Sequence, residues 1–263
     1  MKNVLLLVHD DAGQEARLQA ALDLTRTLGG HLQCVDVTIV PALFADDYDG
    51  MGSALLLEEE RNRESENEID LKRRLVLEDV SWDWVDTTAS VAEGMLDAAA
   101  LADIIVLNSG LDSYPSTRDV VSRILMRCHK PILTVPETLK QLSFGRALIA
   151  WDGQESCAVT MRACTPLLAL ADEVEIFMVR DGAERLEPEE AAEYLSRHGI
   201  HANIRVIDDG LHAPDALIAE ECAQWRPDYI LMGAYNHGRL AETFGGVTKR
   251  MLGKTRLPII LGH

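Results

Sequence analysis

Short, nearly unbroken apolar runs alternate along the chain with longer segments whose apolar residues recur at spacings of three and four. The first run, VLLLVHDD, closes at Asp10 and leads into ARLQAALDLTRTLGG; near the middle, RALIAWDG closes at Asp152 and leads into CAVTMRACTPLLALADE. The short runs read as buried strands and the longer segments as amphipathic helices. Strand-like runs follow again, HLQCVDVTIV and VEIFMVRDG, so each half opens strand-helix-strand. Later, VAEGMLDAAALADIIVLNSG and APDALIAEECAQWRPDYILMGAY each carry an alanine-rich helix into a strand, with Asp103 aligned to Asp228. A last helix and a strand introduced by proline close each half, at Pro131 in HKPILTVPE and at Pro258 in RLPIILGH.

The chain therefore repeats itself. Asp152 lies 142 positions beyond Asp10, whereas Pro258 lies 127 beyond Pro131, which places about fifteen extra residues in the first half, before its third strand. They belong to GSALLLEEERNRESENEIDLKRRL, whose acidic and basic residues at i, i+4 predict a helix with a solvated face, a partner-binding helix being the alternative. PETLKQLSFG lacks apolar periodicity and holds Pro136 and Gly145, so a linker is expected near residues 137 to 145, between domains 1–138 and 144–263. Strands alternating with helices imply an α/β fold of two tandem open parallel-sheet domains, with right-handed crossovers and helices on both faces. Ligands of such sheets bind at the carboxyl ends of the strands, at the point where the strand order reverses.

Composition narrows the function classes. Of 263 residues 47% are hydrophobic and the mean hydropathy is −0.02, as expected of a chain with a proper core. Forty-three acidic against 25 basic residues give a formal charge of −18, which repels phosphate backbones and argues against nucleic-acid binding. No run reaches the ~18 apolar residues of a membrane span, and MKNVLLLVHDD meets acidic residues too early for a signal peptide; a cytoplasmic protein is expected. Cys34, Cys128, Cys157, Cys164 and Cys222 are odd in number and contain no CxxC pair, which predicts buried thiols in place of disulfides or a zinc cluster.

The richest segment follows the fourth strand of the second half, MGAYNHGRLAETFGGVTKRML. Gly233 ends the strand where a missing Cβ permits close backbone approach, Gly238, Gly245 and Gly246 loosen the loop, and Val247 and Thr248 open the next helix. A glycine loop that delivers into a helix N-terminus presents N–H groups to an anion, and Thr248 adds a hydroxyl. On these residues the chain resembles the universal stress protein family, whose ATP-binding members carry G-x2-G-x9-G followed by Ser or Thr, often within a GAYGH…GGVT block; MGAYNH and GGVTKRML match it closely. The strand and helix order of two fused family domains extends the resemblance over nearly the whole chain.

The resemblance implies ATP or a related adenine nucleotide, with or without Mg²⁺, and a regulatory part in stress survival. It places Asp152 against the nucleoside, Met178 and Val179 along an adenine pocket, and Gly233, Gly238, Gly245, Gly246, Val247 and Thr248 about the phosphates, where His237 also stands. Asp152 reads equally as a helix N-cap. Asn236 occupies the place of the family's second glycine; counting on from it reaches Gly246 with Val247 in the Ser/Thr place, and asparagine tolerates positive φ. The resemblance further implies that PILTV and PIILG pair inside the chain as an intramolecular pseudo-dimer, with association of two chains left open.

In the first half the equivalent strand ends in LNSGLDSYPSTRDVVSRIL, where Asn108 replaces the glycine and Asp112 and Asp119 add negative charge, so that half is expected to be a degenerate copy. The alternative reading of the whole chain is an interaction module that binds no nucleotide. A slow ATPase is a third, for which no base is evident: no HExxH, nucleophile elbow or paired carboxylates occur, and Gly253, Lys254 and Thr255 imitate a P-loop in the wrong context, closing a helix.

Overall fold

Ten strands join edge to edge in one sheet in the computed structural model, which describes residues 1–39, 51–109, 118–180, 185–208, 211–234 and 246–263. In the first half these are β1 (Asn3–Val8), β2 (His31–Ile39), β3 (Ser81–Ala89), β4 (Ile104–Asn108) and β5 (Ile132–Val135), with helices α1 (Gln14–Leu28), α2 (Met51–Leu75), α3 (Val91–Ala98) and α4 (Arg118–Cys128) between them. The second half repeats the order with β6 (Arg146–Trp151), α5 (Glu155–Leu168), β7 (Glu173–Arg180), α6 (Pro188–Arg197), β8 (Ala202–Asp208), α7 (Pro214–Trp225), β9 (Tyr229–Gly233), α8 (Gly246–Lys254) and β10 (Ile259–Gly262).

The strand order across the sheet is β3-β2-β1-β4-β5-β10-β9-β6-β7-β8, so each half has the doubly wound order 3-2-1-4-5. All neighbours run parallel except β5 and β10, which are antiparallel with Leu133 opposite Ile260. Thr134 Oγ1 donates to the Ile259 carbonyl at 3.1 Å across this seam. The two parallel sheets are thus fused into one, and the two strands that would otherwise be apolar edges cover each other.

Alternation along the strands divides the apolar residues between two layers. Leu6, Ile149 and Ile176 face the layer of α1, α2, α5 and α6, while Leu5, Leu7, Leu148 and Phe177 face that of α3, α4, α7 and α8. Asp103 and Asp228 perform the same task in the two halves: Asp103 Oδ2 accepts from the amides of Lys2 and Asn3 at 2.6 and 2.9 Å, and Asp228 Oδ2 from that of Arg146 at 2.8 Å. Each carboxylate fixes the start of its half's first strand.

The segment between the halves has no regular structure but is far from loose. Leu142 and Phe144 are buried, the Leu142 amide donates to Asp23 Oδ2 at 2.9 Å, and Phe144 meets Tyr229 edge-on at 5.7 Å. The extra length of the first half lies in α2, which has 25 residues where α6 has 10. Its face is not wholly solvated: Glu64, 2% exposed, accepts from the Asp10 amide at 3.2 Å and lies 2.6 Å from His9 Nδ1. Among the described residues no helix is long and apolar enough to cross a membrane.

Candidate functional site

In the second half, β6 stops at Trp151 and the chain turns through Asp152 and Gly153 into α5. Asp152 Oδ1 accepts from the Gln154 amide at 3.0 Å, which fixes the turn without capping the helix, since the cap is Gln154 itself. Gly153 sits at φ +68°, and a Cβ there would come within 2.6 Å of Arg185 Cβ and of the Leu186 carbonyl. Glycine is therefore required at this position for the segment after β7 to close over the strand end. Trp151 Nε1 donates to Leu186 O at 3.0 Å and Arg185 Nη1 donates to Asp152 O at 3.1 Å, securing that closure from both sides.

Beneath the closure lies a cavity of about 190 Å³ at the carboxyl ends of β6, β7 and β9, where the strand order reverses. Its floor is apolar: Ala150, Phe177, Val179, Ile218 and Met232. Its polar rim comprises Asp152, Arg185, Gly233 and the first turn of α8, with Gly246, Val247 and the buried Thr248. First-turn amides of a helix have no partner within the helix, so this rim can offer N–H groups, a hydroxyl and a guanidinium to an anion and a carboxylate to a hydroxyl. The α8 turn is held in place by Arg250, whose Nε donates to the buried Asp215 of α7 at 2.7 Å.

Six of the residues expected from the sequence thus share one cavity: Asp152, Val179, Gly233, Gly246, Val247 and Thr248. Met178 does not, and the expectation for it is corrected. It is buried in the opposite layer with Leu195 and Ala191, and Phe177 takes the place beside Val179. Gly233 has a further reason for lacking a side chain: a Cβ would lie 2.6 Å from the Cys157 amide nitrogen and from Ser156 Oγ, so the residue permits α5 to pack on β9. Asn236, His237, Gly238 and Gly245 lie outside the described residues. Arg185 had no signal in the sequence, because a single arginine in DGAERLE matches any surface loop.

Among the described residues no cysteine lines the cavity. Burial pushes the Cys157 thiol up to about 12, keeping it protonated and inert. Cys34 and Cys164 are likewise buried, while Cys128 and Cys222 are half-buried.

At the corresponding strand ends of the first half a buried polar cluster stands between α1 and the sheet. Asp11 Oδ1 accepts from the Gly13 amide at 2.8 Å just before α1, the turn that Asp152 makes before α5; Asp11, and not Asp10, is the counterpart of Asp152. Four residues beyond the cap Gly13 stands Arg17, four beyond the cap Gln154 stands Ala158, and each amide bonds the carbonyl of its cap. Arg17 is fully buried. Its guanidinium donates to the carbonyls of Leu7 at 3.2 Å and His9 at 3.1 Å, to Asp11 Oδ1 at 2.9 Å, and to Asn108 Oδ1. Asn108, where the second half has Gly233, completes the cluster by donating from Nδ2 to Val135 O at 3.2 Å.

No protein-family model matches the chain, and no curated protein matches it. Solved structures do. A universal stress protein from Archaeoglobus fulgidus DSM 4304 superposes with a TM-score of 0.76 at 13% identity, over 99% of this chain and 95% of its own. A functionally unknown protein from Pseudomonas aeruginosa PAO1 gives 0.59 at 13% identity, over 99% and 92%. A Pseudomonas aeruginosa UCBPP-PA14 protein assigned provisionally as a universal stress protein gives 0.58 at 15%, over 99% and 92%. With strand order 3-2-1-4-5 in both halves and a likeness spanning nearly all of each chain, the protein has the tandem universal stress protein fold.

Proposed function

We propose that the protein is a nucleotide-responsive regulator that binds ATP or a related adenine nucleotide at the mouth of its second half. The observation that carries the reading is the cavity itself: at the point where the strand order reverses, Asp152, Arg185, Gly233 and the first turn of α8 ring an apolar floor. An adenine ring fits the apolar floor of Phe177, Val179 and Ile218. Asp152 would accept from a ribose hydroxyl, and Thr248, Arg185 and the first turn of α8 would receive the phosphates, supplying positive character that a chain of net charge −18 otherwise lacks. A Mg²⁺ ion, where present, would arrive with the phosphates and neutralise part of their charge. The likeness in fold to a universal stress protein supports a regulatory part in stress survival over catalysis.

One observation favours an interaction module without nucleotide. The cavity, about 190 Å³, is smaller than the roughly 300–1,000 Å³ usual for small-molecule sites, so the closure at Arg185 and Leu186 must open for a nucleotide to enter. Isothermal titration distinguishes the readings. Saturable ATP binding at one site per chain, weakened at least tenfold in Gly246→Trp, is the expected result; no heat from the folded wild-type chain would establish the interaction module instead.

A further inference from the structure

Four carboxylates converge at the other end of the molecule, between β2, β3 and α2. Asp36 of β2 and Asp86 of β3 are direct partners across parallel strands. Like charges placed opposite one another in a sheet are destabilising. The face is closed by Glu64 and Glu68, one helical turn apart on α2, of which Glu64 is occupied by His9. One carboxylate oxygen from each of Asp36, Glu68 and Asp86 lies within 4.8 Å of the others.

Asp36 points to a missing companion. It is only 5% exposed, and its Oδ1 is buried with no hydrogen-bond partner among the described residues. A buried carboxylate oxygen without a donor is costly, and here it faces further carboxylates. Of the cations nearby, Lys72 pairs with Glu68, itself a member of the group, and lies 4.8 Å from the centre of the Trp84 ring, and Arg63 pairs with Asp10, Glu60 and Glu64.

We propose that Asp36, Glu68 and Asp86 form a binding site for a hard divalent cation such as Ca²⁺, Mn²⁺ or Mg²⁺. The donor set is entirely oxygen, which favours these ions over zinc or copper. Oxygens that share an ion at about 2.3–2.6 Å lie no more than about 5 Å apart, the spacing present here. Asp36 supplies the buried ligand, whereas Asp86 is exposed and Glu68 half-buried, leaving one side open to the water molecules that complete the shell of such an ion. The site ties α2 to the two outermost strands of the first half, and it is independent of any nucleotide site.

The probe is Mn²⁺ alone, added to the full chain at pH 8 without nucleotide and followed by electron paramagnetic resonance of the free ion. Trp84 serves as an internal reporter, because its Nε1 donates to Asp86 Oδ1 at 2.7 Å. Expected are one saturable site, a change in tryptophan fluorescence that Trp84→Phe removes while binding persists, and at least a tenfold loss of affinity in both Asp36→Asn and Asp86→Asn. Asp86 is exposed, so Asp86→Asn keeps the test valid if Asp36→Asn fails to fold. Absence of saturable binding by the wild-type chain would overturn the proposal. So would equal binding by wild type and Asp86→Asn, or loss of binding in Glu60→Gln instead, which would move the ion to the His9, Glu60 and Glu64 group.

Discussion

Arg17 shows how a charged side chain can be carried into a core. A fully buried guanidinium is tolerable only when its donors meet acceptors, and four do, two carbonyls and two side-chain oxygens. Asp11 depends on it in return: Oδ1 accepts from Arg17 Nη1, while Oδ2 is buried with no hydrogen-bond partner among the described residues. Arg17→Ala should therefore lower stability by about 3–5 kcal/mol, the cost of stranding one member of a buried pair, as read from the midpoint of chemical unfolding. In surviving folded protein the ATP titration should be unchanged, because Arg17 belongs to the first half and the cavity to the second. Arg17 was not legible as a buried residue: in ARLQAALDLTRTLGG it occupies what reads as the polar face of an amphipathic helix. Asp152, Gly233 and Thr248 were legible, because strand ends and helix starts can be located from the apolar pattern, whereas Val179 came from the family resemblance. Met178 was misplaced for a related reason, since in a strand a shift of one residue exchanges the two faces.

At the scale of elements, the alternation of apolar runs and amphipathic segments was enough to order strands and helices, but not to say which polar residues they trap. Nothing in a run such as VEIFMVRDG announces that Glu175 of β7 is covered by α7. Glu175 is 7% exposed and Oε1 lacks a hydrogen-bond partner among the described residues, while Glu221 of α7 beside it is taken by Arg205 at 2.9 Å. Burial and the Glu221 charge raise Glu175 to about 7 from an ordinary value near 4.5. The native chain then holds a proton that the unfolded chain releases between those values. The contribution to stability is thus complete below about pH 4.5 and is lost as the pH rises through about 7. Glu175→Gln should raise the melting temperature at pH 8, by a gain on the order of 1 kcal/mol, and leave it little changed at pH 5. Equal effects at the two pH values would refute the assignment. The charged segment of the first half was legible as a helix, yet its buried Glu64 was not, for a glutamate facing inward has the same spacing as one facing water.

For the whole molecule, the seam between β5 and β10 makes one sheet of two repeats. Every residue of β5 and of β10 is buried, so separating the halves would expose two short apolar edges. A chain of residues 1–138 alone is expected to self-associate through β5, detectable as a dimer or larger species by light scattering; a stable monomer would show that the edge is protected in another way. Because β5 and β10 run in opposite directions, the carboxyl ends of the two sets of strands emerge at opposite ends of the sheet. The Arg17 cluster and the cavity consequently sit at opposite ends of the sheet. News of an occupant at one end can reach the other through the sheet only by way of a ladder three residue pairs long, Thr134 to Ile259, Leu133 to Ile260 and Ile132 to Leu261, so the two poles of this protein are built to answer separately.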